Sequence, residues 1–228
     1  MIKKQDYLFI CALLILFLPF FLWEDLMQYY RQFNAEHGII TSFLKFSILA
    51  TTGELIGLRI KTGKYYKQGF GVIPRMIVWG FLGISIKMSF VIFASGTPVL
   101  LDYLGMENSA NTLQGAFNLN KLFISFCISL FLNVIFAPVM MTFHKITDVH
   151  IVSNSGTIKG FFTPIKFREI FVNLNWNVQW NFVFKKTIPL FWIPAHTITF
   201  LLPADFQVLF AAILGIALGI ILAIADFT

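Results

Sequence analysis

Four ionisable side chains stand inside long apolar runs: Lys45 and Glu54 in the run 39–58, and Arg75 and Lys87 in the run 72–101. An ion carried into hydrocarbon costs about 2.5 to 3.5 kcal/mol on insertion scales, so each of these needs a reason to be there. Folding the two runs as an antiparallel helical hairpin about the connection 59–73 brings Lys45 and Lys87 to one depth, about 21 Å from that connection. Two ammonium groups at one level favour an anion. Glu54, nearer the connection, suits a partner or a gate, and the three together describe a polar path. A plainer reading also stands. Lys45 and Lys87 snorkel to an interface, Glu54 hydrogen-bonds a neighbouring helix, and Arg75, shallower still, is an anchor.

Two further polar residues sit in apolar surroundings. His196 follows Pro194 and is either a proton relay or a polar residue satisfied by carbonyls that proline frees; Asn133, close to Pro138, has the same two readings. His144, Asp148 and His150 have a His-x3-Asp-x-His spacing, read here as a solvated loop after the fourth apolar run rather than a metal site. Cys11 and Cys127 lie in apolar runs without metal-ligand spacing and read as small buried side chains. There is no GxSxG, HExxH, P-loop or GxGxxG in a strand-to-helix setting, and no cofactor motif. Asp102 and Asp205 fall at helix ends and form no intramembrane acid pair. A lipid-modifying enzyme is accordingly the third hypothesis, behind a transport protein and a structural one.

The elements that must hold these residues follow from composition. Of 228 residues, 57% are hydrophobic and 12% charged, and the mean hydropathy is +0.78. A soluble domain carries about 25% charged residues, so this chain has too few to cover a water-facing surface. The expected fold is all-α: a bundle of about six membrane helices over 8–23, 39–58, 72–101, 122–143, 187–202 and 206–225, within a single domain spanning 1–228. The run 72–101 is expected to break near Gly96-Thr97-Pro98. The segment 187–202 carries Pro189 and Pro194, and the count drops to five if it is re-entrant. Thr163 and Pro164 predict a helix start, and Phe167, Ile170, Phe171, Leu174 and Val178 then share one face, so 163–182 reads as an amphipathic interfacial helix. Gly215-x3-Gly219 permits close helix approach, for internal packing or for a homo-oligomer.

Charge orients the bundle. With the N-terminus inside, all 17 Lys and Arg residues except Arg31, Lys45, Lys87 and Lys121 fall on the cytoplasmic face. That asymmetry matches the positive-inside rule and places both termini in the cytoplasm, with a bacterial inner membrane as the expected location. It also accounts for the net charge of +6 through anionic lipid, without nucleic acid.

The C-terminal third resembles the Mpv17/PMP22 family of small membrane proteins. Asn175-Trp176-Asn177-Val178 is similar to the start of that family's Asn-Trp-x-Val-Trp-Pro segment, and Trp192-Ile193-Pro194 to its Trp-Pro. His196 stands where the family has Gln, Thr199-Phe200 where it has Asn-Phe, and Leu202-Pro203 with 206–210 resembles the closing motif. Upstream, Thr52-Gly53-Glu54 is similar to Thr-Gly-Asp, and Arg75 with Gly80 and Gly83 resembles the third segment. An insertion centred on 181–190, Gln207 in place of Arg, and the first helix depart from the pattern. The resemblance implies a role in membrane permeability, often described as pore-like, and puts Glu54 at the family's acidic position. The expected function is a pore-like channel or transporter of a small ion or metabolite. The alternative is a structural membrane protein whose buried charges fix helix packing.

Overall fold

Long apolar runs punctuated by Gly, Pro and Asn lead the chain into helix after helix. In the computed structural model, which describes residues 3–225, no strand occurs among those residues. Helices α1 (Lys4–Phe17) and α2 (Pro19–Leu22) are nearly continuous, because Leu18 stays helical and proline is tolerated at the first position of a helix. The chain breaks at Trp23, whose φ of −116° and ψ of 109° are extended. It then forms α3 (Glu24–Glu36), which has Glu24 and Asp25 in its first turn, where the helix dipole favours acid. Helix α4 (Gly38–Thr62) ends on Gly63, at φ 75°, whose N–H donates to the Arg59 carbonyl. A residue without Cβ suits that left-handed cap.

Helix α5 (Val72–Tyr103) has 32 residues, and α6 (Ser109–Gln114) is a short return. Next, α7 (Leu119–Phe131), a π-helical turn (Leu132–Phe136) and α8 (Ala137–Ser153) join into one rod of 35 residues. Short helices α9 (Ile158–Phe161), α10 (Phe167–Val172) and α11 (Trp176–Val178) lead into a π-helical stretch (Gln179–Trp192), then α12 (Ile193–Leu201) and α13 (Ala204–Ala225). Among the described residues, three rods are long and apolar enough to cross a membrane: Gly38–Thr62, Val72–Tyr103 and Leu119–Ser153. Large side chains on their outward faces, among them Phe81, Ile92, Val134 and Val139, are more than half exposed, which is compatible with a lipid-facing surface.

Several sequence expectations change. The helix 72–101 does not break at Pro98. That proline lies one turn from the end, and the helix continues through it to Tyr103. The helix over 122–143 runs ten residues further, to Ser153, so His144, Asp148 and His150 are helical and not in a solvated loop. The interfacial helix expected over 163–182 is divided. The Thr163 hydroxyl donates to the Gly160 carbonyl at 2.6 Å and closes the preceding turn, while Asn175 caps a new start by accepting from the Val178 N–H at 3.1 Å. From there one helical path runs to Leu201, so the segment expected over 187–202 begins earlier. Both π-helical stretches adjoin prolines. The N–H of Ala137 donates to Leu132, beside Pro138, and that of Ile193 to Ile188, beside Pro189 and Pro194. Shifting a donor one carbonyl further back relieves the clash of a proline ring with the carbonyl four residues earlier.

Helix α4 is held between α5 and α13. A Cβ on Gly53 would lie 2.8 Å from the Gly215 carbonyl oxygen, and one on Gly219 would lie 2.5 Å from that of Gly53. The Gly215–Gly219 pair, open to an oligomeric role on sequence, is therefore filled inside the chain. On the other side of α4, Gly83 admits Phe46. Phe46, Ile86, Phe90, Ile124, Ile128 and Phe200 form the main core, drawing in α7 and α12. At the basic end, α1 docks on α4. Arg59 donates to both Asp6 oxygens, at 2.8 and 2.7 Å, and the Gln5 amide donates to the Gly63 carbonyl at 2.7 Å.

Two predictions follow from these contacts. Gly53→Ala should destabilise the protein by about 1 to 3 kcal/mol through overpacking. Gly96→Ala, whose Cβ would meet nothing within 4 Å, should be neutral or stabilising by about 0.5 to 1 kcal/mol; denaturation of the two variants in detergent measures both. Secondly, Arg59 and then the Lys3 N–H hold the Asp6 carboxyl well below the usual aspartate range. A depressed carboxylate adds stability that is complete above its unfolded pKa and is lost as pH falls through the folded value. Protection of 3–17 from limited proteolysis should therefore persist through mildly acidic pH and disappear only in strong acid, and Arg59→Ala should remove it at neutral pH.

Candidate functional site

The most heavily bonded polar group lies where α4, α5 and α8 meet near the basic end. Glu54 on α4 faces Arg75 and Trp79, one turn apart on α5, and His144 on α8, while Asp148, one turn after His144, meets Arg75. Arg75 Nη1 donates to Glu54 Oε2 at 2.6 Å, its Nη2 pairs with Asp148 Oδ1, and its Nε donates to the Phe70 carbonyl at 2.8 Å. The guanidinium also stacks on the Phe70 ring, 4.3 Å from its centroid. The second Glu54 oxygen accepts from Trp79 Nε1 at 2.7 Å and from His144 Nε2 at 3.1 Å, so Nε2 carries the imidazole proton. Lys145 reaches Asp148 at 3.2 Å from the rim. Arg75 is only 7% exposed, far too buried for a simple surface anchor.

A different group gathers at the far end of the same helices. Lys45 is buried and its Nζ donates to Asn34 Oδ1 of α3 at 2.5 Å, with the Tyr30 ring 5.3 Å away. Lys87 lines a cleft of about 320 Å³ together with Asn34, Gly38, Ser42, Asp205 and Val208. Lys45 reaches toward this cleft through Asn34, while Lys87 on α5 stands opposite Gly38, seven residues before Lys45 on α4. Glu54 does not join them: it lies about 14 Å further along α4 and is bonded to other residues. The cleft is lined by Lys87 but by neither Lys45 nor Glu54. Between the two ends, α4 carries buried Ser47, Thr51 and Thr52, and the Ser47 hydroxyl donates to the Met76 carbonyl at 2.7 Å.

Asn133, in the π-helical turn after α7, and His196 on α12 come together. Asn133 Nδ2 donates to the Ser129 carbonyl at 2.8 Å and faces His196 Nδ1 at 3.1 Å, which makes Nδ1 the acceptor. The imidazole ring lies against Trp192 and the edge of Phe90. Asn133 Oδ1 and Trp192 Nε1 are buried without a hydrogen-bond partner among the described residues. His150, the third member of the His-Asp-His spacing, turns away from Asp148; its Nε2 donates to the Phe161 carbonyl at 3.0 Å. Among the described residues, no three His, Cys, Asp or Glu side chains converge as a metal site would need.

The residues that sequence reasoning passed over are Trp79, Tyr30 and Asn34. Trp79 had a signal, since Arg75 and Trp79 are spaced to share one helix face, as are His144 and Asp148. Tyr30 and Asn34 had none, because nothing local indicates that α3 folds back over α4. Comparison with family models, curated proteins and solved structures finds no match for the chain.

Removing one partner of a buried pair leaves the other charge uncompensated, at about 3 to 5 kcal/mol. Arg75→Ala and Glu54→Ala should each lose stability on that scale, and the double variant should lose clearly less than their sum. A double-mutant cycle by denaturation in detergent measures the coupling.

Proposed function

We propose that the chain is a polytopic integral membrane protein of about six membrane helices, both termini on the basic face, that passes a small ion or metabolite across a bacterial inner membrane. The observation that carries this reading is the cleft at Lys87. It opens among α3, α4, α5 and the start of α13, with Lys45 buried beside it, while the bodies of the same helices close behind it. A cleft that ends on a packed helix bundle has the form of one gated end of a path. Ser47, Thr51 and Thr52 along α4 supply small polar groups between that end and Glu54. The Glu54–Arg75–Asp148 contacts then form the closed end, a set of charges that must part or exchange partners for a solute to pass. The resemblance to the Mpv17/PMP22 family favours the same pore-like reading, and no catalytic residue is assigned.

One observation favours a structural role instead: every charged group around Glu54 has a close partner, as a packing device requires. Flux through purified protein in liposomes separates the two readings. Transport predicts flux above protein-free liposomes, with the anion-to-cation ratio falling in Lys87→Ala. Absence of flux for any of several small ions, from protein with intact helical circular dichroism, would leave the structural role standing.

A further inference from the structure

The cleft at Lys87 contains a charge arrangement that narrows what can enter it. Lys87 and Asp205 line the same space of about 320 Å³. Among the described residues they form no ion pair with each other, and neither has a hydrogen-bond partner. Opposite charges left apart across one cleft match a ligand that carries both signs. Two features place the anionic end of such a ligand. Helix α4 begins at Gly38 on the cleft wall, and its N-cap residue, His37, makes no side-chain cap bond. The first N–H groups of this 25-residue helix are therefore available to an anion, and the helix dipole favours one there. Lys87 lies at the same spot, its Cε 3.6 Å from where a Cβ on Gly38 would stand. Behind it, Lys45 adds a second positive charge from a buried position, held on Asn34. Beside Lys45, the Tyr30 hydroxyl is buried with no hydrogen-bond partner among the described residues. The volume is at the small end of the range of ligand sites, about 300 to 1,000 Å³.

We infer that this cleft binds a small zwitterion. Its carboxylate or phosphate lies between Lys87 and the start of α4, and its primary ammonium lies against Asp205. Lys45, buried behind the cleft, adds its charge to that of Lys87 against the single Asp205, and this surplus positive charge suits a phosphate at the anionic end. A free phosphoethanolamine-type solute and a phosphatidylethanolamine headgroup share this chemistry. The inference deepens the transport reading by naming the class of solute, and it rests on that reading for the ligand's passage but not for its binding.

The test uses the full chain in detergent, with O-phosphoethanolamine and inorganic phosphate as probes and calorimetric titration as the readout. O-phosphoethanolamine should bind more tightly than inorganic phosphate. Lys87→Gln should weaken both by about tenfold or more, the scale of one lost charge-assisted hydrogen bond. Asp205→Asn should weaken O-phosphoethanolamine by a similar factor and leave inorganic phosphate unchanged or tighter. Lys87 is only partly buried and Asp205 is exposed, so both variants should keep their thermal unfolding profile. Nanodiscs distinguish the sources. Stabilisation by phosphatidylethanolamine over phosphatidylcholine, without binding of the free probe, assigns the site to a lipid headgroup; binding of the free probe assigns it to a solute. Equal binding of the two probes with no dependence on Asp205, or no binding of either probe and no preference between lipids, would overturn the inference. Binding is read without a membrane gradient. Failed transport therefore leaves it intact, and flux without zwitterion binding overturns the ligand assignment alone.

Discussion

A carboxylate and a guanidinium set among apolar helices must meet, and the contact between Glu54 and Arg75 is the constraint on which the rest of the bundle depends. Neither group is stable alone in such surroundings, since desolvation of an unpaired ion outweighs what ordinary packing returns. Each therefore recruits every donor or acceptor within reach. Arg75 takes Glu54, Asp148 and the Phe70 carbonyl, and Glu54 takes Trp79 and His144 as well. The consequence is geometric. Three long helices are fixed in register at one level, because a shift of one residue in any of them would strand a charge.

Away from that level, steric fit takes over. Gly53 meets Gly215 and Gly219 backbone to backbone, and Gly83 admits Phe46, so α4 lies close to both neighbours. Close approach of this kind is how helices associate where lipid removes the usual hydrophobic drive. Prolines do the opposite work. At Pro138, and at Pro189 with Pro194, the backbone widens to π-helical bonding and the rods continue instead of ending. One such widening carries Asn133 and the other leads into His196, which explains how two polar residues in apolar sequence come to face each other.

The polar residues of α4 and α5 form two sites of different character. Around Glu54 the charges are paired, which suits a latch. Around Lys87 they are unpaired and open, which suits a ligand. That contrast was out of reach of spacing alone. Equal helical rise from a short connection predicts one depth for Lys45 and Lys87, but the register of α4 against α5 sets Gly83 beside Ser42 and Phe46 and so Lys87 opposite Gly38. Whether a third charge belongs with them depends on what else surrounds it. Glu54 has closer partners in Arg75 and Trp79 of α5 and in His144 of α8, a helix whose length was underestimated because the polar residues His144, Lys145 and Asp148 look like a loop. Read as helix, the same residues put two polar pairs, each one turn apart, opposite a lone acid.

By itself the sequence determined the all-helical class, the apolar rods, and the need for buried charges to find partners. These follow from composition, helical rise and the energy of ions in a poor solvent, all of which are local or additive. Tertiary structure alone decided which partners those charges take, that Gly215 and Gly219 face Gly53 within the chain, that α3 folds back to lend Asn34 to Lys45, and that Asp205 reaches the cleft of Lys87. Each of these contacts joins residues remote in sequence. Their geometry depends on how helices pack against one another, which no local pattern records.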